Sequence, residues 1–584
     1  MQARVHVQWG VKIPLRDGIH LSATLYRSPA HCDPKPAIFT LTPYIGQTFH
    51  DQAMYFASHG YPFLTVDVRG RGDSEGAFRP FIQEAQDGQD VVEWLAQQAY
   101  CNGRVAMWGG SYGGYNQWSV AKLLPPHLAT IVPVAAPYLA VDVWMRNNIC
   151  YPYLVRWLTL VTGRASQDKI FWNDEAFWAE KFRLFFESGA PFKTLDSALG
   201  NPSATFKEWI SHPQQGDYWD QFNPRPEDYS KITVPILTIT GIYDSDQPGA
   251  LMHYRRHVQN APHAPHYLVI GPWHHAGTRV PQRRFAGTEV GDAGMLDLQR
   301  LHLEWYAWTM SSGPKPSFLR APVAYYVMGA ERWRYAGTLD AITAESKPLY
   351  LSSRGVASRI DGSGELISEV GNGAEDEYLY DPRHLGCAPL EASLTDPLCL
   401  RPTFPTENLR DQTRVYAMEG NQLVYHSAPF DSDVEISGFF KLTAWIAIDQ
   451  PDTDFGVSVY EIDDRGSSLL LTFDCMRARY REDLRREVLV SVSKPLRYEF
   501  ERFTFVSRLV MKGSRLRLVI GPLNSIHFQK NYNSGGVVAD ESIEDARTVK
   551  VKLFHDSAHP SALYVPLGQP EFAGPETSRL PEVL

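Results

Sequence analysis

The chain has 584 residues, 44% of them hydrophobic and 21% charged, with a formal net charge of −10. That length exceeds one ordinary domain, and the mild acidity without a Lys/Arg block argues against nucleic acid as the main partner. No run approaches the roughly 20 apolar residues needed to span a bilayer, which argues against a membrane-embedded protein.

The amino terminus, "MQARVHVQWGVKIPLRDG", lacks the basic start and apolar centre of a secretory leader. The cysteines (Cys32, Cys101, Cys150, Cys387, Cys399 and Cys475) are scattered without a CxxC pair. That pattern favours reduced thiols in a cytoplasmic protein over a disulfide such as Cys387–Cys399.

Residues 1–137 alternate short apolar β-rich runs, "AIFTLTPY", "PFLTVDVRG" and "RVAMWG", with the helical patterns "DQAMYFASHG" and "EAQDGQDVVEWLAQQ". Strands alternating with helices predict a parallel sheet covered on both faces. Residues 138–230 break this rhythm with Trp144, Tyr151, Tyr153, Trp157, Phe171, Trp172, Phe177, Trp178, Phe182, Phe185 and Phe186, mostly at helical spacings. They predict an inserted helical cap whose aromatics mainly form its own core, with Trp144 and Trp157 among those facing a pocket.

The alternation resumes over 231–318 with "VPILTITG", a helix near 248–258, "HYLVIGPW" and "MLDLQRLHLEWYAWTM". From 319 to 584, runs such as "VAYYVMG", "FKLTAWIAI", "FGVSVYEI" and "RLRLVIGP" follow one another without helical interludes. That pattern reads as a β-sandwich of the jelly-roll type. Its large β-rich surface makes a homo-oligomer an expectation to test.

Within the first segment, Gly109-Gly110-Ser111-Tyr112-Gly113 fits G-x-S-x-G, and it stands between the strand "RVAMW" and the helix "YNQWSVAKLL" that Pro125 and Pro126 close. In that setting the motif is a nucleophile elbow, with serine on a sharp strand-to-helix turn. Serine needs a base, and the base needs an orienting carboxylate, in the chain order Ser, acid, His. "TITGIYDSDQPG" offers Asp244 just after a strand, with Asp246 as rival, and "LVIGPWHHAG" offers His274 and His275. There is neither HExxH nor a GxGxxG helix start, so neither metal nor organic cofactor is implied.

"PYIG", "VDVRGRGDSEG", "DGQDVVEWLAQQ", "NGRVAMWGGSYGGYNQW", "GIYDSD" and "GPWHH" occur in the order seen in cocaine esterase-like hydrolases, the group that includes X-Pro dipeptidyl-peptidases. The resemblance covers nearly the whole chain and implies an α/β-hydrolase core with a helical cap and a C-terminal jelly roll. It implies Ser111 as nucleophile, Asp244 as acid and His275 as base, with His274 at the variable position. It also implies that the Tyr44 hydroxyl and the Tyr112 backbone N–H form the oxyanion hole; Tyr44 follows the strand whose loop supplies the second donor in such folds.

"DVRGRGDSEG" reads as architecture, with Arg69 pairing Asp73 across a glycine-rich turn, and chain order argues against Asp67 as the acid. Ser245 and Asp246 stand where many relatives have glycine and a bulky apolar residue. Asp246 therefore either caps the helix beginning near Pro248, the favoured reading, or receives a substrate cation. The expected activity is hydrolysis of a small-molecule carboxylic ester or amide. Acyl transfer, dipeptidyl aminopeptidase action, and non-catalytic binding by the jelly roll stand as alternatives.

Overall fold

The structure, a computed structural model, describes residues 4–30, 33–165, 174–371, 373–393 and 409–569. Phe171, Trp172, Cys32 and Cys399 lie outside the described residues, and with them the Cys387–Cys399 pairing.

The chain opens with an antiparallel pair that the apolar runs did not announce, β1 (His6–Pro14) and β2 (His20–Arg27). The expected alternation follows: β3 (Lys35–Thr42), α1 (His50–Ser58), β4 (Phe63–Asp67), α2 (Glu84–Ala96), β5 (Cys101–Gly110), α3 (Tyr112–Ala121) and β6 (Leu128–Val134). All of β4 is buried, as a short apolar run covered on both faces should be. In α2, Val91, Val92 and Leu95 face the sheet, and Glu84 and Asp87 sit in the first turn, where the helix dipole favours acids. Two short strands, β7 (Met145–Arg146) and β8 (Ile149–Cys150), and α4 (Tyr153–Leu160) open the inserted segment.

The sheet resumes with β9 (Ile236–Tyr243) and β10 (His266–His274). After a small hairpin of β11 (Arg284–Phe285) and β12 (Thr288–Glu289), β13 (Val323–Val327) and β14 (Arg332–Ala336) complete it. Its order is β1-β2-β4-β3-β5-β6-β9-β10-β13-β14. From β4 to β13 every neighbouring pair is parallel, which brings the ends of β3, β5, β9 and β10 to one edge. "VAYYVMG", read from the sequence as the opening of the β-domain, is β13 and pairs with β10 in this sheet. Its alternation suits either sheet, and only the register Leu268–Val323 decides between them.

From Thr343 onward the strands form a separate thirteen-stranded β-rich assembly. Most of its pairs are antiparallel, but Gly364–Ile367 runs parallel to Leu423–Ser427. Two short helices, Cys387–Ser393 and Thr413–Ala417, interrupt a region expected to hold strands alone. The first packs Ala388 with Trp178, Phe182 and Phe186 of the helix Glu175–Ser188. The aromatics of the insertion therefore do not close a core of their own. Trp144, Tyr151, Tyr153 and Trp157 join the main core, and Trp178, Phe182 and Phe186 join the β-rich part.

The junction is polar as well as apolar. Asn147 donates to Asp474 at 2.9 Å and to the Cys475 carbonyl at 2.7 Å. The buried Arg477 forms a two-point pair with Asp454, both contacts at 2.9 Å, and also donates to the Asn148 carbonyl at 3.2 Å. Among the described residues no helix is long and apolar enough to cross a membrane.

Candidate active site

At the end of β5 the backbone turns through Ser111 at φ 60°, ψ −123° and enters α3 at Tyr112. A non-glycine residue at positive φ is strained, and strain of this kind persists only where the surroundings enforce it. Here the Ser111 N–H donates to the Val134 carbonyl at 3.0 Å, and its carbonyl accepts from Gly114 and Tyr115 at 2.8 and 3.0 Å. The flanking glycines sit in tight space, and Gly109 also adopts φ 153°. A Cβ at Gly109 would meet the Gly113 backbone at 3.1 Å, and one at Gly110 would lie 2.6 Å from the Arg279 guanidinium. Arg279 follows the short helix Ala276–Thr278, so the loop leaving His275 lies directly over the elbow.

As the first residue of α3, Tyr112 has a backbone N–H with no partner inside the helix. Its side chain points away from that task. The hydroxyl bonds Glu84 and accepts the Phe81 N–H at 2.8 Å. Burial raises this phenol well above its usual range and pushes the Glu84 carboxyl up to about 7.

Tyr44, half-buried on the loop after β3, lies edge-on to the Tyr112 ring at 6.4 Å. Its hydroxyl accepts the Trp157 indole N–H at 3.0 Å. An indole N–H can only donate, so the phenol keeps its own proton for a second partner. The loop is pinned by Asp67, whose carboxylate accepts the Gly46 N–H at 2.6 Å and is pushed up to about 6 by burial.

At the ends of β9 and β10, Asp244 and His275 meet. His275 Nδ1 lies 2.8 Å from Asp244 Oδ1, which also accepts the Asp246 N–H at 3.1 Å. The other oxygen accepts the Thr240 hydroxyl at 2.8 Å. A carboxylate on Nδ1 fixes the tautomer that leaves Nε2 as a base. His274 faces elsewhere: its Nε2 meets Gln282 at 3.0 Å and its ring packs on Phe285 at 5.0 Å.

Asp246 departs from the capping expectation. It occupies the N-cap position of the helix Gln247–Asn260, yet its side chain makes no capping hydrogen bond. That duty falls to Asp142, whose carboxylate accepts the Gly249 N–H at 2.6 Å. The fully buried Asp246 instead has Oδ2 3.8 Å from His275 Nδ1 and Oδ1 3.3 Å from the Ser245 hydroxyl.

Trp144 and Trp157 are buried in one aromatic stack, 4.4 Å apart, with Tyr112 5.8 Å from Trp157. Arg69 pairs with Asp87 at 2.6 Å and Asp17 at 2.7 Å, not with Asp73, because its side chain runs toward the first turn of α2.

Sequence reasoning missed Gln247. Its amide nitrogen donates to the carbonyls of Gly241, Ile242 and Phe505 at 3.1, 2.8 and 3.2 Å, and its oxygen accepts the Phe505 N–H at 2.7 Å. The loop carrying Asp244 is thereby tied to the β-rich part. Its place beside Asp246 was the only signal for it, since the partner lies 258 residues away. Asp142 carried no motif at all.

An elbow serine after one parallel strand and a paired Asp and His after two later ones define a serine hydrolase of the α/β-hydrolase class. Residues 17–277 match the X-Pro dipeptidyl-peptidase (S15 family) model, and residues 319–560 match the X-Pro dipeptidyl-peptidase C-terminal non-catalytic domain. The two together span most of the chain, which belongs to this family.

Cocaine esterase of Rhodococcus sp. is 25% identical over 593 residues, covering 95% of this chain and 98% of its own. A putative serine esterase of Mycobacterium tuberculosis is also 25% identical, covering 88% of this chain and 84% of its own. Among solved structures, an aminopeptidase from a marine-sediment Thaumarchaeota archaeon superposes with TM-score 0.80 at 20% identity, covering 97% of both chains. An alpha-amino acid ester hydrolase does so with TM-score 0.81 at 18% identity, again covering 97% of both. The protein is a hydrolase with an α/β core and a separate C-terminal β-rich domain.

Proposed function

We propose that Ser111, His275 and Asp244 are the triad of an ester- or amide-cleaving serine hydrolase. The observation that carries this reading is the 2.8 Å contact from Asp244 to His275 Nδ1, set at the same sheet edge as the strained Ser111. Ser111 Oγ attacks the substrate carbonyl while His275 Nε2 takes its proton. The oxyanion is met by the Tyr44 hydroxyl and the Tyr112 N–H. His275 then protonates the leaving group, and water, activated by the same base, releases the acid from Ser111. Acyl transfer uses the same groups when an amine or alcohol replaces that water. A fluorophosphonate probe labels one site, Ser111; labelling that survives Ser111→Ala sinks the assignment.

The orientation of Asp246 favours a second feature of the same site, acceptance of an amine-bearing acyl group. Asp246 adds a buried negative charge 3.8 Å from the His275 imidazole, beside that of Asp244, and such a field suits a substrate ammonium. Peptidase action of the X-Pro type would use the same group. The buried thiols of Cys101, Cys150 and Cys475 support a reducing, cytoplasmic setting.

A further inference from the structure

Away from the triad, a cleft of about 280 Å³ opens where the helix Gln247–Asn260, the 138–147 segment and the 501–504 loop of the β-rich part meet. Five arginines line it, Arg146, Arg255, Arg256, Arg485 and Arg502, against two carboxylates, Asp220 and Glu501. Both carboxylates are engaged already, Asp220 by Arg485 at 2.8 Å and Glu501 by Lys441. Arg146 is turned into the carbonyls of Phe473 and Arg502 at 2.7 and 2.8 Å.

The other three guanidinium groups are held differently. Arg256 lies over the Tyr138 ring at 4.9 Å and donates to its hydroxyl at 2.5 Å. Arg255 lies over Phe439 at 4.3 Å, and among the described residues its ion-pair contact is to the exposed Asp340 at 3.6 Å. Arg502 is exposed at the rim. Among the described residues no carboxylate is in ion-pair contact with the Arg256 or Arg502 guanidinium; Asp474 accepts the Arg502 backbone N–H at 2.9 Å and its buried charge balances part of Arg502's. Burial lowers the Arg255 pKa, as expected of a cation whose charge is poorly compensated. An aromatic face fixes the plane of a guanidinium and leaves its N–H edge for in-plane bonds to an oxyanion.

We propose that this cleft binds a small multivalent oxyanion, a phosphate ester or a polycarboxylate, through Arg255, Arg256 and Arg502. The volume is close to the lower end of small-ligand sites, about 300 Å³. Gln247 and Pro248 line the same cleft, and Arg502 lies three residues before Phe505, the β-domain partner of Gln247. An anion bridging the helix and the 501–504 loop therefore braces the joint on which the Asp244 loop rests, and it stabilises the folded protein by mass action.

The test is titration calorimetry on the full chain with inorganic phosphate, pyrophosphate and citrate at about 0.15 M salt, where diffuse surface attraction is screened. The expected result is one saturable site for at least one probe, with Arg256→Gln and Arg502→Gln each weakening it about tenfold or more. Arg284→Gln, at a site 80% exposed and paired with Glu289, leaves it unchanged. Preference for the phosphates assigns a phosphate ester, and preference for citrate a polycarboxylate. Either one supports the site. No saturable binding of any probe at millimolar concentration overturns it, as does binding that survives both cleft variants or is lost equally in Arg284→Gln. Thermal unfolding of each unliganded variant checks the fold, and the exposed Arg502→Gln carries the test if Arg256→Gln misfolds.

Discussion

Tyr44→Phe separates transition-state stabilisation from packing. The ring is kept, so its contact with Tyr112 survives, and two interactions of the hydroxyl are lost. The first is the oxyanion donor. Removing one such donor costs on the order of 10²–10³ in kcat, about 2.7–4 kcal/mol, because the charge it meets exists mainly in the transition state. The second is the acceptor for Trp157, whose indole N–H is 3.0 Å away on a side chain 1% exposed. A buried donor left unpaired costs roughly 1–3 kcal/mol, so the variant is also less stable.

The assay is steady-state hydrolysis of a p-nitrophenyl ester, with kcat and KM resolved, alongside thermal unfolding. Trp157→Phe is the companion variant. It keeps the phenol and its proton but loses the group that orients it, so kcat falls much less than in Tyr44→Phe. A soundly folded Tyr44→Phe protein with kcat within about twofold of wild type refutes the reasoning. The side-chain donor would then have to be replaced by a backbone N–H of the same loop.

The adjacent histidines should separate sharply. His275→Ala is expected to cost on the order of 10⁴–10⁶ in kcat, and His274→Ala, which loses contacts to Gln282 and Phe285, far less; the reverse ranking moves the base by one residue. Asp246→Asn should raise KM for amine-bearing acyl substrates and leave neutral ones nearly unchanged, and an equal effect on both classes removes its role as a cation acceptor. Gln247→Leu strands the Phe505 N–H and takes a donor from the Gly241, Ile242 and Phe505 carbonyls, of which Gly241 keeps the Asp244 N–H at 3.2 Å. It should cost roughly 3 kcal/mol or more in stability, lower kcat as well, and be seen in denaturant unfolding at neutral pH; a loss under ~1 kcal/mol contradicts the bridge.

Acid should also weaken the fold. Burial lowers His253 to about 3, and His302, His426 and His527 to about 4, whereas each binds a proton near 6.5 when unfolded. Their depressed folded values mean stability is fully present above about pH 6.5 and falls as pH drops toward the folded values, by roughly 1.4 kcal/mol per histidine per pH unit. Glu84 and Asp67, raised to about 7 and about 6, act in the opposite sense and offset part of this. Stability that is flat or rises between pH 7 and 5 refutes the expectation that the four histidines outweigh these two carboxyls.

Much of the catalytic half was legible because its signals are local. The runs at 37–44, 62–70 and 104–109 are apolar and short, as strands covered on both faces must be, and each appears in the sheet. The glycines around Ser111 report backbone crowding that is itself local, between Gly109 and Gly113. The β1–β2 pair escaped notice because β1 is largely exposed and carries little apolar periodicity. The helix Cys387–Ser393 escaped because its burial is supplied by an aromatic helix two hundred residues earlier.

The sequence by itself determined which residue types stand at the ends of which strands, and hence a serine, an acid and a histidine in the chain order of this class. Motif spacing and strand periodicity act over a few residues, where covalent geometry dictates the outcome. The tertiary structure alone decided the competitions. Asp246 could cap its helix until Asp142, from the inserted segment, took the Gly249 N–H, and its carboxylate then faced His275. Arg69 could reach Asp73 nearby but found Asp87 and Asp17 better placed. The strand 323–327 suited two sheets and joined the one whose edge lay beside it. In each case several partners satisfy the same polar or apolar group about equally well, and only three-dimensional proximity ranks them.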